Sequence, residues 1–230
     1  MARTDERVKG GIKKSALSGD ADIRRKLCDG LAKLGLSDDE LSVTKLLEYA
    51  SLLSKWNKVY NLTAVTAAEE VLTHHLLDSA SLLPVLRQVM PEAKTILDVG
   101  SGGGFPAVPL AVLCPDLDVS AIDAVAKKTA FINQAAIRLR LKNLRVFHGR
   151  VQDLSGSFDV VVSRAFASLS DFVLWTQHLL PTKGYWLAMK GRIQKEELDG
   201  LPAGVLLENI HSVDVPGLNE KRVIVELRRI

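Results

Sequence analysis

The stretch Ile96–Leu113, ILDVGSGGGFPAVPLAVL, sets four glycines (Gly100, Gly102, Gly103 and Gly104) between a β-rich run and an apolar helical run. A strand that turns sharply into a helix needs residues without a Cβ, because only these accept positive φ and let backbone N–H groups approach a ligand. Pro106 suits the first turn of the helix that follows, whose free N–H groups and positive dipole end would face an anion. A turn of this kind belongs at the carboxyl edge of a parallel sheet, where nucleotide-type ligands sit.

Working outward, the period supports such a sheet. KTILDVG, LDVSAIDA, LRVFHGR, FDVVVSR and GYWLAMKG are short β-rich runs separated by helical stretches or loops. Val160, Val161 and Val162 are apolar in succession, as in a strand covered by helices on both faces. VLLENIHSVDV and KRVIVELRR, separated by PGLNE, predict a closing antiparallel hairpin. Before the sheet, Leu46, Tyr49, Leu53, Trp56 and Tyr60 recur at three- and four-residue steps and mark one buried helix face. Thr66 with Glu69 reads as a capping box opening the helix that carries His74, His75 and Asp78, and Pro84 to Lys94 reads as a linker. The expected fold is α/β: a Rossmann-like, mostly parallel sheet with an antiparallel C-terminal strand, and an N-terminal helical lobe. The divisions expected are a mobile basic tail over 1–20, a helical lobe over 21–90 and the ligand-binding domain over 91–230.

Composition removes whole classes. With 230 residues, 47% hydrophobic and 25% charged, the chain has the balance of a soluble globular protein, and it has no run of about 20 apolar residues that would span a membrane. Cys28 and Cys114 stand alone, which fits a reducing cytoplasm and leaves no cysteine pair at metal spacing. The net charge is +3, with the excess concentrated in the first 26 residues, where eight Lys/Arg meet four Asp/Glu. Between Asp123 and Asp153 there is no acid, yet Lys127, Lys128, Arg138, Arg140, Lys142, Arg145 and Arg150 are basic, a block suited either to phosphates or to a solvated face. His74, His75 and Asp78 offer too few ligands for zinc, and one histidine paired with Asp78 is the expected arrangement.

Two ligands compete for the glycine turn. Gly102-x-Gly104-x-x-Ala107 satisfies a loose dinucleotide fingerprint, with Asp123 at the next strand end to accept from a ribose. The longer pattern Asp98-x-Gly100-x-Gly102-x-Gly104 resembles the first motif of class I methyltransferases, whose S-adenosylmethionine carries an ammonium that an acid would attract rather than repel. A nucleic-acid-binding protein with a merely structural glycine loop is the third reading. Trp56, Asn57, Tyr60 and Asn61 suit either lobe packing or RNA stacking, with packing favoured for the two aromatics.

Seven strings taken in order, KWNKVYNLTAV, HHLLDSASLLP, DVGSGGGFPAVPLA, KKTAFI, GRVQDL, SRAFASL and LAMKG, resemble the RsmG (GidB) family of bacterial 16S rRNA guanine-N7 methyltransferases over about residues 45–192. Ala107 departs from the glycine common there, and the basic extension lies outside the shared pattern. The resemblance implies methyl transfer from S-adenosylmethionine to N7 of the guanine at position 527, in the 530 loop of 16S rRNA, without a general base. The implied partner is 16S rRNA or a small-subunit particle, with no metal and no membrane, and a monomer is expected. Asp98, Gly100, Gly102, Gly104, Phe105, Asp123, Val151, Gln152 and Arg164 are the expected cofactor residues. Arg164, Arg150 and Lys190, at predicted strand ends, are the expected substrate-positioning residues.

Overall fold

In the computed structural model, which describes residues 7–164, 166 and 168–230 with side chains from residue 20 onward, two long helices precede the sheet. These are α1 (Arg7–Lys33) and α2 (Glu40–Tyr60). Of the expected tail, residues 1–6 lie outside the described residues, and α1 already runs through positions 7–20. Asp39 starts α2 by accepting from the Ser42 N–H at 3.0 Å, with Glu40 in the first turn to complement the dipole. Leu46, Tyr49 and Leu53 are buried on the predicted face, and Trp56 packs on Phe131 with ring centroids 5.5 Å apart. Tyr60 leaves that stripe: it is 42% exposed and touches Trp56 from outside.

The segment after α2 departs from the sequence reading in two places. Helix α3 (Ala68–Val71) begins after Ala67, one residue too late for Thr66 to cap it, and Glu69 reaches Lys26 at 2.5 Å instead of folding back. Leu72–Leu77 then forms a π turn before the short helices α4 (Asp78–Ala80) and α5 (Leu82–Val89). Pro84 sits in the first turn of α5, where a missing N–H is harmless, so the expected linker shrinks to residues 90–94.

Strands β1 (Thr95–Val99), β2 (Asp118–Asp123), β3 (Leu144–His148), β4 (Val160–Arg164) and β5 (Tyr185–Lys190) pair in parallel. They are followed by β6 (Val205–Val213) and β7 (Arg222–Arg229). The order is β3-β2-β1-β4-β5-β7-β6, and β7 runs antiparallel to both its neighbours, as the closing hairpin predicts. The order reverses between β1 and β4, the switch point where a crevice opens at the carboxyl edge. Helices α6 (Ala107–Leu113), α7 (Ala126–Arg138), α8 (Leu169–Thr176) and α9 (Lys195–Asp199) complete the layers.

The period of two sorts strand residues to opposite faces. Ile96, Val160, Val162 and Leu187 join α6, α7 and the N-terminal helices in one core, while Leu97, Val161, Trp186 and Ala188 join α8 in the other. The helical lobe therefore shares a core with the sheet. It also reaches the glycine turn directly, since the buried Tyr49 hydroxyl donates to the Gly103 carbonyl. Replacing Tyr49 by Phe strands that carbonyl in the core and is expected to lower stability by about 1–3 kcal/mol. The check is the midpoint of urea unfolding, and an unchanged midpoint would remove the hydroxyl from the lobe's anchoring.

Candidate active site

The chain leaves β1 through a turn in which backbone groups are directed one by one. Gly100 and Ser101 N–H donate to the Ile122 carbonyl at 2.9 and 3.1 Å, which ties the turn to the end of β2. Asp123 accepts from Gly102 N–H through Oδ2 and from Val125 N–H through Oδ1, both at 2.9 Å, and so fastens the β1–α6 turn to the β2–α7 turn. Asp98 accepts from the Ala107 N–H at 3.1 Å. The sequence predicts an anion of the ligand at the start of α6; in the structure the Ala107 N–H there is taken by the Asp98 carboxyl of the chain itself. Gly104, at φ +89°, leaves no room for a side chain: a Cβ would stand 2.8 Å from Val108 and 2.9 Å from the Tyr49 hydroxyl.

Two compartments open above the turn, of about 650 and 240 Å³, and they share Gly100 and Phe166. Gly100, Gly102, Phe105, Arg164 and Lys190 line the larger, and Gly100, Asp123, Arg150, Val151 and Gln152 the smaller. The structure thus brings together nine of the eleven residues read from the sequence. Asp98 and Gly104 lie beneath the turn and shape it from below.

Phe105 is only 3% exposed and serves as a packing hub, with His75 4.4 Å and Tyr49 5.3 Å from its ring centroid and the Arg164 guanidinium carbon at 5.0 Å. Arg164 donates through Nη1 to the His74 carbonyl at 2.7 Å and to Asp78 at 3.2 Å, and the same nitrogen lies 3.2 Å from His75 Nδ1. The expected histidine–Asp78 pair is absent: Asp78 is divided between Arg164 and Arg222, at 3.2 and 3.1 Å. The π turn accounts for this, because its extra residue per turn displaces the side chains from helical spacing. His75 Nε2 meets the Thr63 hydroxyl at 2.8 Å instead. Among the described residues no three His, Cys, Asp or Glu side chains are gathered in a way that would hold a metal.

Arg222 is the residue that motif reading misses, since nothing in LNEKRV marks it. Topology supplies the signal: a strand antiparallel to β5 must begin at the carboxyl edge, and Val223 pairs with Lys190. The first residue of β7 therefore arrives beside the cleft. Lys190, by contrast, is engaged by Glu197 at 2.6 Å.

Burial sets the protonation of two groups. His75 is pushed down to about 4 by desolvation and by the Arg164 charge, so it is neutral near pH 7. Asp98, fully buried and with Oδ1 lacking a partner among the described residues, is pushed up to about 7 from 3.8, chiefly by desolvation. A carboxyl raised in this way stabilises the fold fully below the unfolded value and loses that contribution as pH rises through 7. The stability advantage of the native chain over an Asp98→Asn variant should therefore shrink between pH 4 and 8. The change is on the order of a few kcal/mol, or roughly 5–10 °C in Tm at this chain length. Thermal melts of both proteins across that range check it, and a pH-independent difference would contradict the assignment.

Comparison with known proteins agrees with this architecture. The family model GidB, rRNA small subunit methyltransferase G, matches residues 42–225. The ribosomal RNA small subunit methyltransferase G of Acidovorax sp. (strain JS42) is 49% identical over 214 residues, 89% of this chain and 94% of its own. That of Neisseria meningitidis serogroup B (strain ATCC BAA-335 / MC58) is 50% identical over 207 residues, 90% and 98% of the two chains. Among solved structures, TrmN from Thermus thermophilus aligns with a TM-score of 0.54 at 20% identity, over 69% of this chain and 53% of its own. The O-methyltransferase from Bacillus cereus in complex with SAH aligns with 0.53 at 15%, over 80% and 91%. At those identities the structures attest the class I methyltransferase fold alone, whereas the family match and the relatives at about half identity go further: this chain belongs to the GidB family of rRNA small subunit methyltransferases.

Proposed function

We propose that the chain transfers the methyl group of S-adenosylmethionine to N7 of guanine 527 in 16S rRNA. The observation that carries the reading is the pair of compartments meeting at Gly100, the smaller between Asp123 and Gln152, the wider rimmed by Lys128, Arg164, Lys190, Arg192 and Arg222. One is of adenosine size, and the other presents cations to a polynucleotide.

The residues present fit this cofactor. Gly100 keeps the turn open, since a Cβ there would come within 3.2 Å of the Phe166 ring. Each Asp123 oxygen holds one N–H and retains accepting capacity for a ribose hydroxyl. Asp98 Oδ1 has no partner among the described residues, and the charge the carboxyl gains as it ionises near pH 7 favours an ammonium over a pyrophosphate above the turn. When bound, the cofactor supplies an electrophilic methyl on a sulfonium.

Guanine N7 bears a lone pair and no proton, so the chain need not remove one before the bond forms. What the chain contributes is alignment, and holding reacting atoms about 3–3.5 Å apart accounts for much of a rate enhancement. Arg164 suits that role, because its bonds to the described residues fall on Nη1 and leave Nε and Nη2 to donate to the guanine carbonyl or to phosphate. The methylated base is cationic, and Asp78 offsets part of the charge that Arg164 and Arg222 bring to the cleft. Arg150 stands on the cofactor side of the junction, with Val151 and Gln152 beside it. No described helix is long and apolar enough to cross a membrane. The encounter with rRNA belongs, on this reading, to the cytoplasm.

The test is transfer of labelled methyl from S-adenosylmethionine to 16S rRNA, and separately to small subunits, from cells lacking the modification. Label at one guanine, with strand scission there after borohydride and aniline, is expected; label at another base, or none on either substrate, would overturn the reading. In the same assay Arg164→Ala should lower kcat/KM by roughly ten- to a hundredfold, the loss of one charged hydrogen bond. Arg164→Lys should recover only part of it, because a point charge does not reproduce the planar fork.

A further inference from the structure

Phe166 is not used by the chemistry above, yet with Gly100 it is common to both compartments. Its ring packs against Phe172, 5.7 Å away and tilted, and Trp175, 5.6 Å away and edge-on. Its Cδ2 edge lies 3.2 Å from where a Cβ on Gly100 would stand. The ring is thus held at the junction between the cofactor compartment and the wider cleft.

A base taken out of an RNA structure loses its stacking neighbours, and a protein that acts on it commonly supplies a flat surface in their place. Two phenyl rings line the wider cleft. Phe105 is 3% exposed, with His75 and Arg164 already against it, so it offers no free face. Phe166 is half-buried and lines the same cleft as Arg164, whose Nε and Nη2 are uncommitted among the described residues. A π surface and a planar guanidinium donor lining one cleft match a purine bearing a carbonyl.

We infer that Phe166 is the platform on which the target guanine stacks, so that its ring sets the plane of the base and Arg164 sets its rotation within that plane. The inference rests on the guanine-methylation reading and deepens it. Arg164 then acts from the edge of the base and Phe166 from its face, and neither role substitutes for the other.

The test uses the full chain carrying Phe166→Leu, which keeps apolar volume against Phe172, and Phe166→Tyr, which keeps the ring. Both are assayed with rRNA or small subunits lacking the modification, and S-adenosylhomocysteine binding is measured by calorimetry. Expected for Leu is a roughly ten- to hundredfold loss of kcat/KM toward the RNA, with the Kd for S-adenosylhomocysteine within about threefold of the native chain and an unchanged Tm. Expected for Tyr is near-native turnover. If Leu matches the native chain, or if its Kd rises in proportion to the lost turnover, the stacking role is overturned, the second outcome making Phe166 a wall for the adenosine. Native chain that labels no guanine would instead overturn the underlying reading, and with it this one.

Discussion

The carboxylate of Asp123 accepts from two different turns, Gly102 after β1 and Val125 after β2, and the arrangement of the whole carboxyl edge depends on that pair of hydrogen bonds. Parallel strands end side by side, but their exits are separate loops with no reason to keep a common geometry. One buried acid that binds an N–H from each makes them a single surface. Tyr49 then fastens the same turn to the helical lobe, and Gly104 admits Tyr49 because it has no Cβ. The lobe is therefore part of the site's scaffold: α2 holds the loop through Tyr49 while the ends of β1 and β2 hold it through Asp98, Ile122 and Asp123.

Much of this was legible in the residues. The five parallel strands fall where β-rich runs interrupt the helical period, because strands buried on both faces leave near-continuous apolar strings. The glycine turn was legible for a different reason, since residues that need positive φ or close contact have few substitutes. Asp123, Val151 and Gln152 follow strand ends, and a parallel sheet delivers strand ends to one edge whatever lies between them in sequence. What failed to show was anything set by non-local pairing. Thr66 looks like a cap, but Glu69 is drawn to Lys26 of α1. Asp78 looks like a histidine's partner, but two guanidiniums, 86 and 144 positions away, displace the local neighbour. Phe105 and Asp98 carry the right residue types for a ligand site and are also the pieces that pack and cap it, a division that only depth of burial can settle.

The π turn at Leu72–Leu77 links these features. An α-helical repeat would stack His74 on Asp78 at the i+4 position; the wider turn instead frees the His74 carbonyl, which accepts from Arg164 at 2.7 Å. That carbonyl, the Asp78 carboxylate and His75 Nδ1 form a basket around one guanidinium nitrogen. A neutral His75 is compatible with a neighbouring arginine in a way that an imidazolium is not, and burial keeps it neutral. The guanidinium is so held by one nitrogen and lies over Phe105.

On the N7 reading proposed above, charge balance explains why such a basket would be useful in a cleft that admits an anionic polymer and then releases a cationic base. Five basic residues on the rim would draw in phosphate. At the reacting end that much positive charge would oppose an N7-methylated guanine, whose ring carries a full charge, and repulsion between unit charges in a partly desolvated cleft is worth several kcal/mol at about 4 Å. Asp78 lies at that end, 4% exposed as a side chain and shared by Arg164 and Arg222, so the pair of guanidiniums and the acid carry one net charge where two would stand. Lys190 is offset in the same way by Glu197. The basic side chains beside Asp78 and Glu197 keep the hydrogen-bond geometry of a cation while presenting less than its full field, which on that reading would suit groups that orient a nucleophile about to become positive.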